Sequence, residues 1–268
     1  MRRGNLFWAF VLIIVGVILL LGNLGLLAGV NVWGVIWPLA LMAFGAFVLY
    51  GALVGPRTVE AEDAVIPLEG AARAHVKISH GAGRLTLGAG AGADQLAVGK
   101  FGGGLDYRAE RAGDRLNVKM HVRDQGWNFI FAPNWGRVGG LDWVVALNRA
   151  VPLELKLETC ASQSTLDLSE LCVTDLKLET GASETRIALP ANAGFTRVQV
   201  HAGAASVEIS VPGGVAARIR ARGGLAKISV DPARFPRVGD LYESPDYASA
   251  ANKADIDVET GVGSVSVR

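Results

Sequence analysis

The chain has 268 residues, with 26 Lys and Arg against 25 Asp and Glu, so its formal net charge is +1. Half of the residues are hydrophobic, 19% are charged, and the mean hydropathy is +0.33. This composition excludes a disordered chain and is unusual for a purely soluble enzyme. The balanced charge argues against nucleic acid as a partner. Two cysteines are too few for a disulfide scaffold or a complete structural zinc site.

The first part of the chain is predicted to enter a membrane. Residues 4–56 contain no Asp, Glu, Lys, Arg or His. One membrane span takes about 20 apolar residues, so we expect a helical hairpin over residues 1–55, with spans at about 6–22 and 33–54. A cleaved signal peptide is the alternative for the first span, but no Ala-x-Ala site follows it. The lipid bilayer is therefore the first predicted partner.

Basic residues predict the orientation of this hairpin. Arg2 and Arg3 precede the first span, Arg57 follows the second, and the connecting loop has no basic residue. The positive-inside rule then places both termini in the cytoplasm. We expect a two-pass protein of the bacterial inner membrane with a cytoplasmic C-terminal domain. The aromatic residues predicted at the two membrane interfaces are Trp8, Trp33, Trp37 and Tyr50.

The remainder of the chain has the pattern of an all-β protein. Residues 56–70 are polar and irregular, which predicts a linker. Residues 71–268 alternate apolar and polar side chains in short runs between small residues, which predicts strands with one buried face. An insertion at about 101–150 interrupts the pattern and contains Trp127, Trp135 and Trp143. It is predicted to cap the end of the β structure, with an aromatic binding surface as the alternative.

The strands repeat. LKLETCAS begins at Leu155 and LKLETGAS at Leu176, 21 residues later, and related segments begin at Val76, Val198, Ile219 and Ile256. A repeat of this length predicts a β-solenoid or a related stack of rungs, each of which buries its apolar side against the next. The predicted rung core is Val76, Ile78, Leu155, Leu157, Leu176, Leu178, Val198, Val200, Val207, Ile209, Ile256 and Val258. The predicted turn glycines are Gly81, Gly181, Gly203, Gly224 and Gly261.

These segments resemble known families. The uncharged run RRGNLFWAFVLIIVGVILLLGNLGLL…VWGVIWPLALMAFGAFVLYG is similar to the LiaI/LiaF-type membrane region of bacterial envelope proteins. The run from LDWVVALNRAVPLELKLETCAS to LKLETGAS and IALP resembles the toast-rack domain of LiaF-like and adhesin-like proteins, and IDVETGVGSVSV resembles its last rung. The resemblance implies a role in sensing or restraining the response to cell-wall-active antibiotics, with a membrane histidine kinase as a partner.

The sequence contains no catalytic motif, and we predict no catalytic, metal-binding or cofactor-binding residues. The four histidines are scattered, and surface positions are expected for them. The aligned rungs place Glu158, Glu179, His201 and Arg222 in one outer column, beside a second column of Lys156, Lys177, Gln199 and Arg220. Paired carboxylates on such a face could serve a sugar-cleaving enzyme. A solvated ladder in which the lysines neutralise the glutamates is the simpler interpretation.

The predicted function is therefore a membrane-anchored, non-enzymatic sensor, scaffold or regulator of the cell-envelope stress response. The alternative is an adhesin-like or self-assembling structural protein with the β domain outside the cell, in which case a homo-oligomer is expected. A carbohydrate-active β-helix enzyme is the third hypothesis. The side of the membrane that carries the β domain distinguishes the first two.

Overall fold

The computed structural model describes residues 61–123 and 141–268, together with Trp37 and Leu41, which are helical and exposed. Within these residues, no helix has the length and apolar character of a membrane span. The predicted hairpin and its interface residues other than Trp37 lie outside the described residues. The same holds for Trp127 and Trp135 of the predicted insertion.

The described chain folds into β-strands. Six of them are long and follow the repeat: β2, β7, β8, β9, β10 and β13. The strand bounds are β1 Ala61–Pro67, β2 Arg73–Ala89, β3 Gln95–Gly102, β4 Leu105–Ala112, β5 Arg115–Val122, β6 Trp143–Leu147, β7 Leu153–Asp167, β8 Val173–Ala188, β9 Phe195–Ser210, β10 Ala216–Val230, β11 Arg237–Val238, β12 Leu241–Glu243 and β13 Lys253–Val267.

The six long strands stack in parallel as rungs. Their spatial order is β2, β7, β8, β9, β13, β10. Equivalent residues of the repeat lie level with one another, so that Leu157 pairs with Leu178, and Leu178 with Val200. One feature of the predicted coil is wrong: the rungs do not follow chain order throughout, because the C-terminal strand β13 lies between β9 and β10. Sequence spacing reports the repeat length but carries no information on such an exchange.

Each rung is one continuous strand with a bend. In β9 the buried side chains are Val198 and Val200 before the bend and Val207 and Ile209 after it. The inward-facing residues thus have even numbers before the bend and odd numbers after it. The pairing ladders skip one residue at the same level of every rung, for example Gly181. We call the part before this level the first half of a rung and the part after it the second half.

The predicted turn glycines form a column at this bend, but they do not end strands. All five lie inside long strands, and none is among the residues with a left-handed backbone conformation. At four of them the neighbouring backbone approaches closely: a Cβ on Gly181 would lie 2.7 Å from the carbonyl oxygen of Cys160, and one on Gly261 would lie 2.8 Å from that of Gly203. A Cβ on Gly81, by contrast, would meet no atom within 4 Å. Stacked backbones, rather than sharp turns, therefore favour glycine at the other four positions.

The β2 end of the stack corrects two predicted boundaries. The first half of β2 pairs with β5 and its second half with β6, so these two strands form one split rung. The strand β4 pairs with β5, and β3 pairs with β6, so that β4 and β3 together make a further, antiparallel rung. Residues 101–123 and 141–150 of the predicted insertion thus largely extend the stack. The predicted linker 56–70 is also wrong in part, because β1 pairs with β3 and buries Ile66.

Among the described residues, the opposite end of the stack is covered over one half only. The short strand β12 pairs with β10 at Arg218 and Ile219, in the first half, and β11 pairs with β12. The second half of β10 pairs with β13 alone within the described residues. Its inward-facing side chains are more exposed than their equivalents inside the stack, because no described rung follows. Ile228 and Val230 are only partly buried, whereas the equivalent Val265 and Val267 of β13 are buried.

The core runs through the whole stack. All twelve residues of the predicted rung core are buried. The split rung adds Trp143, which is fully buried, donates its indole N–H to the carbonyl oxygen of Gly102 at 3.0 Å and packs edge-to-face against Phe101 at 4.9 Å. Trp143 is therefore a core residue and does not belong to an aromatic binding surface. Continuous burial of this kind explains why one rung alone could not be stable.

A charged groove along the bend

The outer face of the first halves carries a column of polar side chains. It runs Ser79, Glu158, Glu179, His201, Glu259 and Arg222 along the six rungs. The sequence predicted four of these residues as neighbours. It missed Glu259, which separates His201 from Arg222, because β13 lies between β9 and β10. Only the exchange of strand order makes Glu259 a member of the column.

A second column, two residues earlier in each rung, supplies most of the counter-charges. Its members are Lys77, Lys156, Lys177, Gln199, Asp257 and Arg220. Lys77 and Lys156 place their Nζ atoms 2.7 and 2.8 Å from Glu158 Oε1. Lys177 lies 2.9 Å from Glu179, and Lys156 reaches the same carboxylate at 3.8 Å. Lys156 thus bridges two stacked carboxylates and offsets their mutual repulsion.

The charges change sign towards the β10 end. Asp257 lies 3.1 Å from Arg222 and 3.9 Å from Arg220, and the imidazole of His201 lies 3.5 Å from Glu259. Acidic residues with lysine partners near β7 and β8 are therefore followed by arginines with an acidic partner at β10. Mixed pairing of this kind leaves a strongly polar face, in which acidic and basic side chains pair between the two columns.

The polar face borders an open, shallow groove at the bend. The groove has a volume of about 970 Å³ beside the carboxylates. Gly81, Gly203 and the exposed Cys160 line it at the bend, and Glu158, Glu179, His201 and Glu259 line it from the polar column. The groove is elongated along the stack, since its lining residues come from five successive rungs. A binding partner would contact the same positions of several rungs.

Two carboxylates of the groove, Glu158 and Glu179, are held in the ionised form. Hydrogen bonds from Lys156 and Lys77 lower the pKa of Glu158 to about 2, and Ser79 donates a further hydrogen bond at 3.1 Å. A hydrogen bond from Lys177 likewise lowers the pKa of Glu179. A general acid must carry a proton near neutral pH. These two residues are therefore unsuited to acid catalysis, and the arrangement favours electrostatic recognition.

His80 corrects the expectation of surface histidines. It is 1% exposed, at the inner side of the bend, and its Nε2 lies 2.6 Å from the carbonyl oxygen of Leu141. Its ring also contacts Trp143, with 5.3 Å between ring centroids. Burial lowers the pKa of His80. It connects the bend of β2 to the chain that enters β6, which is a structural role.

No metal site is formed by the described residues, where no group of three or more His, Cys, Asp or Glu side chains comes together. Cys160 and Cys172 are both free thiols. Cys160 occupies a position in the glycine column, where its side chain is exposed.

We expect Glu158→Gln to make the stability of the fold less sensitive to a fall in pH. Glu158 has a lower pKa in the folded chain, about 2, than its ordinary value of 4.5, so its ion pairs stabilise the fold fully above pH 4.5 and progressively less as the pH falls to 2. After allowance for solvent screening, the contribution is about 1 kcal/mol. Thermal melts of the parent and variant chains should differ at pH 6 and converge at pH 2. An equal difference at both pH values would contradict the ion-pair assignment.

The fold is a bent stack of parallel β-strands that follow a sequence repeat, with an ion-paired polar face. The family model described as the N-terminal domain of toast_rack (DUF2154) matches residues 55–210, more than half of the chain. The chain therefore belongs to the Toast_rack_N family. No curated protein matches the sequence. A crystal structure of a proposed cell adhesion protein from Clostridium sporogenes is similar in fold, with a TM-score of 0.68 at 18% identity, over 78% of this chain and 98% of that one.

Proposed function

We propose that this protein is a non-enzymatic component of the bacterial cell envelope, in which a helical hairpin at residues 1–55 anchors the toast-rack domain to the inner membrane. In this proposal the domain is a sensor or scaffold that recognises another envelope-stress protein, such as a membrane histidine kinase, through its charged groove. The uncharged stretch over residues 4–56 supports the anchor, and membership of the Toast_rack_N family supports the envelope role.

The state of the groove carboxylates is the observation that carries the non-enzymatic part. Glu158 accepts hydrogen bonds from two lysines and one serine and keeps a pKa of about 2. Glycoside hydrolysis needs one carboxyl group that is protonated near neutral pH. A sugar-cleaving reaction is therefore disfavoured at this groove, whereas an array of paired acidic and basic side chains is suited to binding a complementary protein surface.

We expect the C-terminus to lie in the cytoplasm. A reporter that is active only in the periplasm should be silent when fused after Arg268, and one that is active only in the cytoplasm should work, because basic residues flank both predicted spans on the same side. Adding Arg residues to the loop at 22–31 should weaken or invert this result and is the matched control. Periplasmic activity of the unaltered fusion would contradict the cytoplasmic placement.

The second candidate is an adhesin-like role with the domain outside the cell. The observation that favours it is the fold similarity to the proposed cell adhesion protein of Clostridium sporogenes. The topology experiment separates the two candidates, because an adhesin requires an external domain. Capture of the intact protein from membranes under antibiotic stress then tests the partner: a histidine kinase in the eluate supports the sensor, and its retention should depend on Glu158 and Glu179.

A further inference from the structure

The two ends of the stack have complementary shapes. At one end, the first half of the last rung is covered by β12 and β11, while the second half of β10 forms an edge within the described residues. At the other end, β1 adds a strand to the second half, while the first half stops at β4 in the part of the chain that the structure describes. Each end is therefore a step. At the β10 end the first half projects beyond the second half, and at the β1 end the second half projects beyond the first.

The two edges of the second half also run in the same direction. The strand β1 is antiparallel to β3, β3 is antiparallel to β6, and β6 is parallel to β2. All the long rungs from β2 to β10 are parallel. Consequently β1 runs parallel to β10, and β1 of a second copy could continue the ladder beyond β10 without any change of orientation. A simple translation along the stack satisfies both edges.

The charges of the two edges are complementary. The segment β1 contains Glu62 and Asp63 and no basic residue, whereas the second half of β10 contains Lys227 and no acidic residue. Following the pairing from rung to rung places Asp63 level with Ser229, and Lys227 is the next side chain on the same outer face. Neither Asp63 nor Lys227 has an ion-pair partner among the described residues. Two β10 edges facing each other would instead bring like charges together.

We propose that copies of this chain associate head to tail, with the β1 edge of one copy added to the second half of β10 of the next. The β12–β11 side of the step then faces β4 of the added copy. The occupant of each edge is thus a second copy of the chain itself. Such an interface is heterologous and does not close, so it produces open linear assemblies rather than a symmetric dimer. This inference concerns the ends of the stack and does not depend on the charged groove or its partner.

The edge β1 also shows why the assembly should be reversible. It is short, ends at Pro67 and carries an inward-facing Glu62, whose carboxylate accepts the backbone N–H of Leu105 at 3.1 Å and pairs with Arg123. Charges and proline are features that limit strand addition at sheet edges. The expected association is therefore weak and sensitive to salt, because its complementarity is largely electrostatic.

Cysteine cross-linking of the full-length chain in detergent tests the geometry. Cys160 and Cys172 are first replaced by Ser, and Asp63→Cys and Ser229→Cys are then introduced singly and together. Under mild oxidation the double variant should give a ladder of dimers, trimers and longer species. Each single variant should remain monomeric, and a mixture of the two should give dimers only. Dimers formed by one single variant alone, or no cross-links in the double variant, would overturn the proposal.

Charge reversal tests the energetics in the same full-length chain. Lys227→Glu should weaken self-association about tenfold in sedimentation velocity at low salt, and adding Asp63→Lys should restore it. Glu170→Lys, a reversal of equal size on an exposed loop residue, is the matched control and should have no effect. Failure of Asp63→Lys to restore association, or monomers at every concentration of the parent chain, would contradict the head-to-tail interface. Neither outcome affects the topology and capture experiments that test the proposed function.

Discussion

Val200→Asp should unfold the toast-rack domain. Val200 is fully buried at the centre of the stack, level with Leu178 on one side and Val258 on the other. Removing a buried Val loses about 1.5–3 kcal/mol of transfer free energy, and an unpaired buried carboxylate adds a larger cost. The total is comparable with the 5–15 kcal/mol that stabilises a typical domain. Thermal melts of the full-length chain, followed by far-ultraviolet circular dichroism, should show no cooperative transition.

Glu179→Ala is the control for this prediction. Its side chain is 41% exposed on the outer face of the adjacent rung, and its ion pair with Lys177 is on the surface. We expect the free energy of unfolding to change by less than about 1 kcal/mol, as is usual for an exposed ion pair. Equal tolerance of both substitutions would show that the strand register of the stack is wrong.

Gly263→Ala should destabilise the domain by about 3 kcal/mol or more. Gly263 has φ +128°, a backbone conformation that residues other than glycine rarely adopt. A Cβ there would lie 2.0 Å from the carbonyl oxygen of Ala205 in the neighbouring rung. The backbone strain and the clash act together, and neither can be relieved by rotating a flexible side chain. The two rungs β9 and β13 would have to separate locally. The melting temperature of the full-length chain measures the effect.

Gly81→Ala is the matched control, because it makes the same chemical change in a different place. A Cβ on Gly81 meets no atom within 4 Å, and its backbone conformation is not left-handed. The free energy of unfolding should change by less than about 0.5 kcal/mol, or rise slightly because alanine restricts the unfolded chain. A loss at Gly81 as large as that at Gly263 would indicate that the glycines serve a shared purpose other than close backbone approach.

The sequence predicted those features of the rungs that depend on side-chain alternation along a single strand and on the length of the repeat. The alternation around Leu157, Leu178 and Val200 reflects one buried face, and a repeat of 21 residues places equivalent side chains on neighbouring strands. The same repeat predicted that Glu158 and Glu179 lie beside Lys156 and Lys177, which the distances confirm. Both features depend only on strand parity and repeat length, and the sequence contains both.

Other features depend on contacts between distant segments and could not be read from the sequence. The strand β1 was assigned to a linker because its polar residues conceal the burial of Ile66, which only the pairing with β3 produces. The burial of His80 could not be predicted, and a surface position is the ordinary expectation for a lone histidine. It is buried because it contacts Leu141 and Trp143, which are more than 60 residues away in the chain. The sequence does not distinguish Gly263 from other small residues near the bend, because its positive φ and the close approach of Ala205 appear only in the folded chain.

The sequence by itself determined the all-β repeat, the inward residues of each rung and the ion-paired polar column, since these follow from side-chain periodicity along single strands. The tertiary structure alone decided the order of the rungs, the insertion of β13 between β9 and β10, and the position of Glu259 in the groove. The physical reason is that equivalent rungs present nearly the same apolar and backbone groups to each other. Strand order therefore depends on the packing of the whole stack and on its chain connections.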